Sequence, residues 1–182
     1  WNIYSPVWAP VSLEDQWLKL QDKDPFDYAK VERKIPASKE LKVSFDLKAG
    51  QNNKGTLQIE FLDENGIACS RIELTDDGIF RLKGGSRFAN MMKYEAGKVY
   101  HVEAVLSTVD RNIQVYVDGK RVGLRMFYAP VAAVERIVFR TGVPRTFPTV
   151  DTPADQTYDL PNAGAQDPLA EYGIANVKTS ST

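Results

Sequence analysis

The sequence predicts an all-β fold, an antiparallel sandwich or barrel. Three observations carry that expectation. About ten short segments alternate apolar and polar residues, they recur at roughly 8–12-residue spacing with Asx-Gly turns between them, and no convincing helical segment separates them. Alternation at period two sends successive side chains to opposite faces of a strand. Without helices between strands, a helix-alternating α/β fold is excluded.

Taken in order, residues 1–16 (WNIYSPVWAPVSLEDQ) hold two tryptophans and two prolines without periodicity, and an irregular lead-in is expected there. Residues 17–182 are expected to form one domain. Trp17 to Gln21 alternates as a short strand, with Trp17 expected in the core. Asp22 to Asp27 is a turn, Pro25 holding Asp24 extended. Tyr28 to Ile35 alternates with one mostly polar face, and Leu41, Val43, Phe45 and Leu47 alternate with Lys42, Ser44, Asp46 and Lys48. Gly55 to Leu62 and Ile67 to Leu74 flank an Asn65-Gly66 hairpin tip, and Thr75 to Gly78 turns into Ile79 to Leu82.

The clearest stretch is Lys98 to Gly123. Tyr100, Val102, Ala104 and Leu106 form an apolar set, as do Ile113, Val115 and Val117 after a polar turn, and Asp118-Gly119 closes the second strand. Gly adopts positive φ without steric cost and Asp tolerates it, so the pair is a strong turn signal. Val134 to Arg140 alternates again. Five of the ten prolines then fall between residues 141 and 171, expected to be an ordered surface loop, before a last strand at Tyr172 to Val177.

Composition narrows the function classes. The chain has 182 residues, 43% of them hydrophobic and 26% charged, with formal net charge −1. That balance gives no electrostatic case for nucleic acid or an anionic membrane, and no apolar run approaches the roughly 20 residues of a membrane span. The single cysteine, Cys69, excludes an internal disulfide and is expected to be a small buried apolar group. A start at Trp1 rather than Met is expected of a processed or excised piece.

The run YEAGKVYHVEAVLSTVDRNIQVYVDGKRVG from Tyr94, with the hairpin GTLQIEFLDENGIACSRIEL, resembles the concanavalin A-like and laminin-G-like jelly rolls. The whole chain is similar to accessory modules of secreted bacterial polysaccharide-degrading proteins. It departs from the family's usual tryptophan before the first hairpin strand, where it has Val99-Tyr100. The resemblance implies a two-sheet jelly roll and a non-catalytic carbohydrate-binding or accessory role. Its partners would be a polysaccharide or oligosaccharide and a neighbouring catalytic domain, and its location secreted, periplasmic or at the cell surface. It also admits two alternatives. One is an enzyme, a polysaccharide lyase using Arg33, Tyr100 and His101 or a glycoside hydrolase. The other is a purely structural domain.

No catalytic or metal residue is assigned. The nearest match to a paired-carboxylate motif, Glu60 to Glu64, has the wrong spacing for a retaining glycosidase. A structural Ca²⁺ would find oxygens at Asp22, Asp24 and Asp27 or at Asp151, Asp155 and Asp159, where Asx turns are the competing explanation. For ligand binding, the outward residues are His101, Glu103, Gln114, Tyr116, Arg136 and Arg140, provided that their strands share one sheet. They could grip a sugar, or simply pair across strands as a solvated face. Trp1, Trp8, Phe127 and Tyr128 fall in irregular segments, as stacking platforms or as lead-in packing.

Overall fold

The computed structural model describes residues 1–142 and 162–181. These contain fourteen strands: β1 (Asn2–Tyr4), β2 (Val11–Glu14), β3 (Trp17–Asp22), β4 (Lys30–Ser38), β5 (Glu40–Ala49), β6 (Leu57–Leu62), β7 (Ala68–Leu74), β8 (Ile79–Gly84), β9 (Arg87–Lys93), β10 (Val99–Ser107), β11 (Asn112–Val117), β12 (Lys120–Met126), β13 (Val134–Thr141) and β14 (Ala170–Ser181). They make two antiparallel seven-stranded sheets. The first has the order β1-β4-β13-β6-β7-β8-β9, the second β12-β11-β10-β5-β14-β3-β2. The fold is the jelly-roll sandwich rather than a barrel.

The core lies between the sheets and is built from the alternating sets. Leu41, Val43, Phe45 and Leu47 of β5, with Tyr100, Val102, Ala104 and Leu106 of β10, face Ile59 and Phe61 of β6, Phe80 and Leu82 of β8, and Ile137 and Phe139 of β13; all are buried. Phe45 and Phe139 meet edge-on across the sheets at 5.1 Å. Fully burying each such side chain contributes about 1.5–3 kcal/mol. The Asp118-Gly119 turn has φ of 50° and 78°, as the primed hairpin turns require. Cys69 is buried, and its burial pushes the thiol up to about 12.

Two readings differ from the sequence expectation, and a third falls largely outside the described residues. Residues 1–16 are not irregular: β1 adds to the edge of the first sheet beside β4, and β2 pairs with β3. The β2–β3 turn is Asp15-Gln16, both at positive φ (48° and 69°), a tight turn without the glycine that usually announces one. Trp17 is not a core residue. Leu18 and Leu20 of β3 lie opposite Ile174 and Tyr172 in the core, so Trp17 and Lys19 point outward. Of the 141–171 segment, Thr141 ends β13 and Ala170 starts β14, while residues 143–161 lie outside the described residues.

Candidate functional site

The six outward residues expected to form one face are divided between two. His101 and Glu103 on β10 and Gln114 and Tyr116 on β11 share the outer face of the second sheet, with Glu103 directly opposite Tyr116. Arg136 and Arg140 lie on β13, in the first sheet. Period two tells which residues of a strand share a face, but not which sheet the strand joins. The four on the second sheet are engaged with neighbours. His101 Nδ1 lies 2.8 Å from Asp46 Oδ1, whose Oδ2 accepts from Asn176 Nδ2 at 2.7 Å. Glu103 pairs with Lys42 at 2.7 Å, and the Tyr116 hydroxyl donates to Gln114 Oε1 at 3.1 Å. The Asn176 hydrogen bond, with the His101 bond beside it, holds the Asp46 carboxyl below its ordinary value. This is the paired, solvated face that cross-strand neighbours produce.

The lyase constellation does not assemble. Tyr100 points into the core, its hydroxyl accepting from the Glu95 amide at 2.9 Å, while His101 faces outward from the same strand. Arg33 stands on β4 of the other sheet and donates to the Val177 carbonyl at 2.7 Å. The hydrolase pair fails as well, since Asp63 accepts the Asn65 and Ile67 amides of its own turn. Nor does the Asp22–Asp27 loop fit calcium. Asp24 accepts the Phe26, Asp27 and Asn162 amides, and Asp27 the Tyr4 hydroxyl and the Tyr28 amide, so these carboxylates serve as Asx caps. Among the described residues no group of three or more His, Cys, Asp or Glu could hold a metal ion. Asp151, Asp155 and Asp159 lie outside the described residues.

A richer surface occupies the outer face of the first sheet. Strand register places Arg140, Gln58, Glu73, Arg81 and Asn90 in one row across β13, β6, β7, β8 and β9. The adjacent row runs Glu32, Val138, Glu60, Arg71, Lys83, Phe88. Though these residues point away from the core, many are enclosed: Gln58 is 0% exposed, Glu73 2%, and Glu60 and Arg71 7% each. Arg71 Nε donates to Glu60 Oε1 at 2.7 Å, Gln58 Nε2 donates to Glu73 Oε2 at 2.5 Å, and Arg81 pairs with Glu73.

Tyr128, from the β12–β13 connection, is tied over this face by its amide, which donates to the Cys69 carbonyl at 3.0 Å. Its ring lies 4.6 Å from Lys83 Nζ and 5.8 Å from the Arg71 guanidinium, while Arg81 stacks 4.1 Å from the Phe88 ring. Burial, and then Arg71, push the Lys83 ammonium below its ordinary value, and burial pushes the Tyr128 hydroxyl up. Gln58 Oε1, Arg81 Nε, Arg136 Nε and the Tyr128 hydroxyl have no hydrogen-bond partner among the described residues. Buried polar groups are nearly always paired, by protein or by ordered water.

At one end of this face is a cavity of about 440 Å³, lined in part by Asp22, Asp24, Phe26, Tyr28, Lys54 and Arg140. Arg140 belongs both to the cavity wall and to the first row, with its guanidinium 4.3 Å from the Tyr28 ring. Burial holds the Asp22 carboxyl above its ordinary value.

Comparison with known proteins places the chain. Residues 1–156 match the family described as "Sialidase-like, CBM domain". A solved structure named "Sialidase" is 88% identical, with a TM-score of 0.91; the match covers 100% of this chain and 17% of that one. An alginate lyase of polysaccharide lyase family 7, AlgAT5, is 12% identical at a TM-score of 0.56, covering 98% of this chain and 85% of that one. Sheep galectin-11 is 14% identical at 0.52, covering 82% and 96%. The last two share the fold alone. No curated protein matches the sequence.

Proposed function

The chain belongs to the sialidase-like carbohydrate-binding module family, an accessory module, and from that premise we propose that it grips an acidic glycan for a catalytic domain of the same protein. The observation that carries this reading is the enclosed row of arginines, Lys83 and aromatic rings outside β6–β9 and β13. There cations outnumber carboxylates: Arg71, Arg81, Arg136, Arg140 and Lys83 against Glu32, Glu60 and Glu73. Guanidinium and ammonium groups make short charge-assisted bonds to a sugar carboxylate. Partial enclosure strengthens those bonds by lowering the local dielectric. The Tyr128 and Phe88 rings, beside Lys83 and Arg81, offer apolar faces to a pyranose. A sialidase relative makes a sialylated glycan the first ligand to try, met outside the cell or at its surface.

Calorimetric titration with a sialylated trisaccharide and with its neutral parent disaccharide tests the proposal. Binding of the acidic sugar only, weakening as salt rises, is expected. Lys83→Ala removes a cation without stranding a buried carboxylate and is expected to weaken binding about tenfold or more. Equal binding of both sugars, or an unaffected Lys83→Ala variant, would overturn it.

A further inference from the structure

We propose a second glycan subsite on the opposite side of the sandwich, a pocket for a single neutral pyranose ring walled by Trp17. It rests on the chain being a carbohydrate-binding module, and not on the acidic-glycan reading.

The strained Asp15-Gln16 turn sets the phase of β3, and the indole consequently stands outside the second sheet. Beneath it β14 supplies Gly173, opposite Lys19 of β3 and Lys48 of β5. A Cβ on Gly173 would sit 3.0 Å from Trp17 Cε3, 3.6 Å from Cζ3 and 3.7 Å from Cδ2, so the ring rests directly on the strand backbone. Any side chain there would have to lift the indole. A glycine in a strand interior weakens the strand, and its usual purpose is close approach of this kind.

Beside the ring is a cavity of about 250 Å³, lined in part by Glu14, Asp15, Lys19, Lys48 and Glu171 together with Trp17 and Gly173. That is below the roughly 300 Å³ at which pockets begin to hold drug-sized ligands, and is the scale of one sugar ring. Its polar groups are arranged around an apolar wall, the pattern of a ligand site. Lys19 is bound to Glu14 at 2.6 Å. Lys48 has no carboxylate partner among the described residues, and its ammonium lies 6.0 Å from the indole centroid. Glu171 accepts from Gln21 Nε2 through Oε2, and Oε1 bonds no side chain among the described residues. The pocket therefore offers a flat ring for the C–H face of a pyranose, a donor in Lys48 and an acceptor in Glu171. Two lysines against Glu14, Asp15 and Glu171 leave no cationic excess to draw an acidic sugar, unlike the first sheet. A neutral hexoside or N-acetylhexosaminide is the matching chemistry. Sites on both sheets would let one module hold two sugars of a glycan surface at once, multiplying their weak affinities.

The test is NMR titration of the whole chain with methyl β-galactoside and with methyl N-acetyl-β-glucosaminide, reading the Trp17 indole N–H, assigned from Trp17→Phe. One of the two is expected to shift that resonance saturably. Gly173→Ala and Glu171→Gln are expected to weaken binding about tenfold. Glu171→Gln guards against Gly173→Ala simply perturbing the sheet, since it alters no backbone or packing. A Trp17 signal silent to both glycosides, or a shift indifferent to Glu171→Gln, would overturn the subsite. Sialylated-trisaccharide binding that survives such silence would leave the first-sheet site standing; silence to every sugar would remove both.

Discussion

His101 and Asp46 face each other across β10 and β5 at 2.8 Å, and Arg71 and Glu60 across β7 and β6 at 2.5 Å. Both pairs lie on the outside of a sheet, in register, in the same sandwich. The first is open to water, its side chains 52% and 23% exposed; the second is enclosed, at 9% each. Exposed pairs contribute about 0–1 kcal/mol, because water screens them and long side chains lose entropy in forming them. Enclosed pairs have lost that water, so each partner depends on the other. The difference teaches that outward orientation and solvent exposure are separate properties. In this protein they separate most clearly on the first sheet, where charged side chains are enclosed.

The contrast is sharpest at Arg71. Arg71→Ala is expected to cost about 3–5 kcal/mol in chemical denaturation, by stranding the Glu60 carboxylate, whereas replacing both residues with Met and Leu is expected to restore most of that loss. A single-variant cost under about 1 kcal/mol would make the two faces alike. Tyr128→Phe removes a buried hydroxyl that has no hydrogen-bond partner among the described residues. It is expected to raise stability by about 1 kcal/mol and to leave acidic-glycan binding unchanged, since the ring is kept, a split that calorimetry and denaturation together would reveal. On the other face, His101→Ala is expected to change stability by less than about 1 kcal/mol and to leave sialoside affinity alone.

The smallest effect is one of pH. Because Asp46 is held below its ordinary 3.8 in the folded chain, its ionised form favours folding. That contribution is fully present above the unfolded value and is lost as pH falls through the lowered one. The stability gap between the parent chain and Asp46→Asn should therefore close in that acid window.

Much of the sandwich was legible in residue order. The apolar sets of β5, β10 and β11 were named by alternation, and the Asn65-Gly66 and Asp118-Gly119 turns by their residue types. What alternation does not encode is sheet membership, a long-range property. Arg136 and Arg140 were accordingly grouped with His101 although β13 pairs with β4 and β6. The enclosed face is hidden in the residue order for a related reason. Gln58, Glu60, Arg71 and Glu73 are an ordinary polar half of a hairpin until β13 and Tyr128 are laid beside them. A signal was available in the Asn65-Gly66 tip, which sets Glu60 opposite Arg71. The phase of Trp17 is not marked in the residue order, because the Asp15-Gln16 turn before it lacks the glycine that announces a hairpin.

The last strand, β14, does not lie at a rim: it fills the middle of the second sheet, between β5 and β3. During synthesis the β2–β3 hairpin and β5 must therefore wait, with unsatisfied edges, until residues 170–181 leave the ribosome. Such late, long-range closure is slow and exposes sticky strands meanwhile. A protease nick near residue 170 would remove the keystone of that sheet, so the module should be lost outright rather than trimmed.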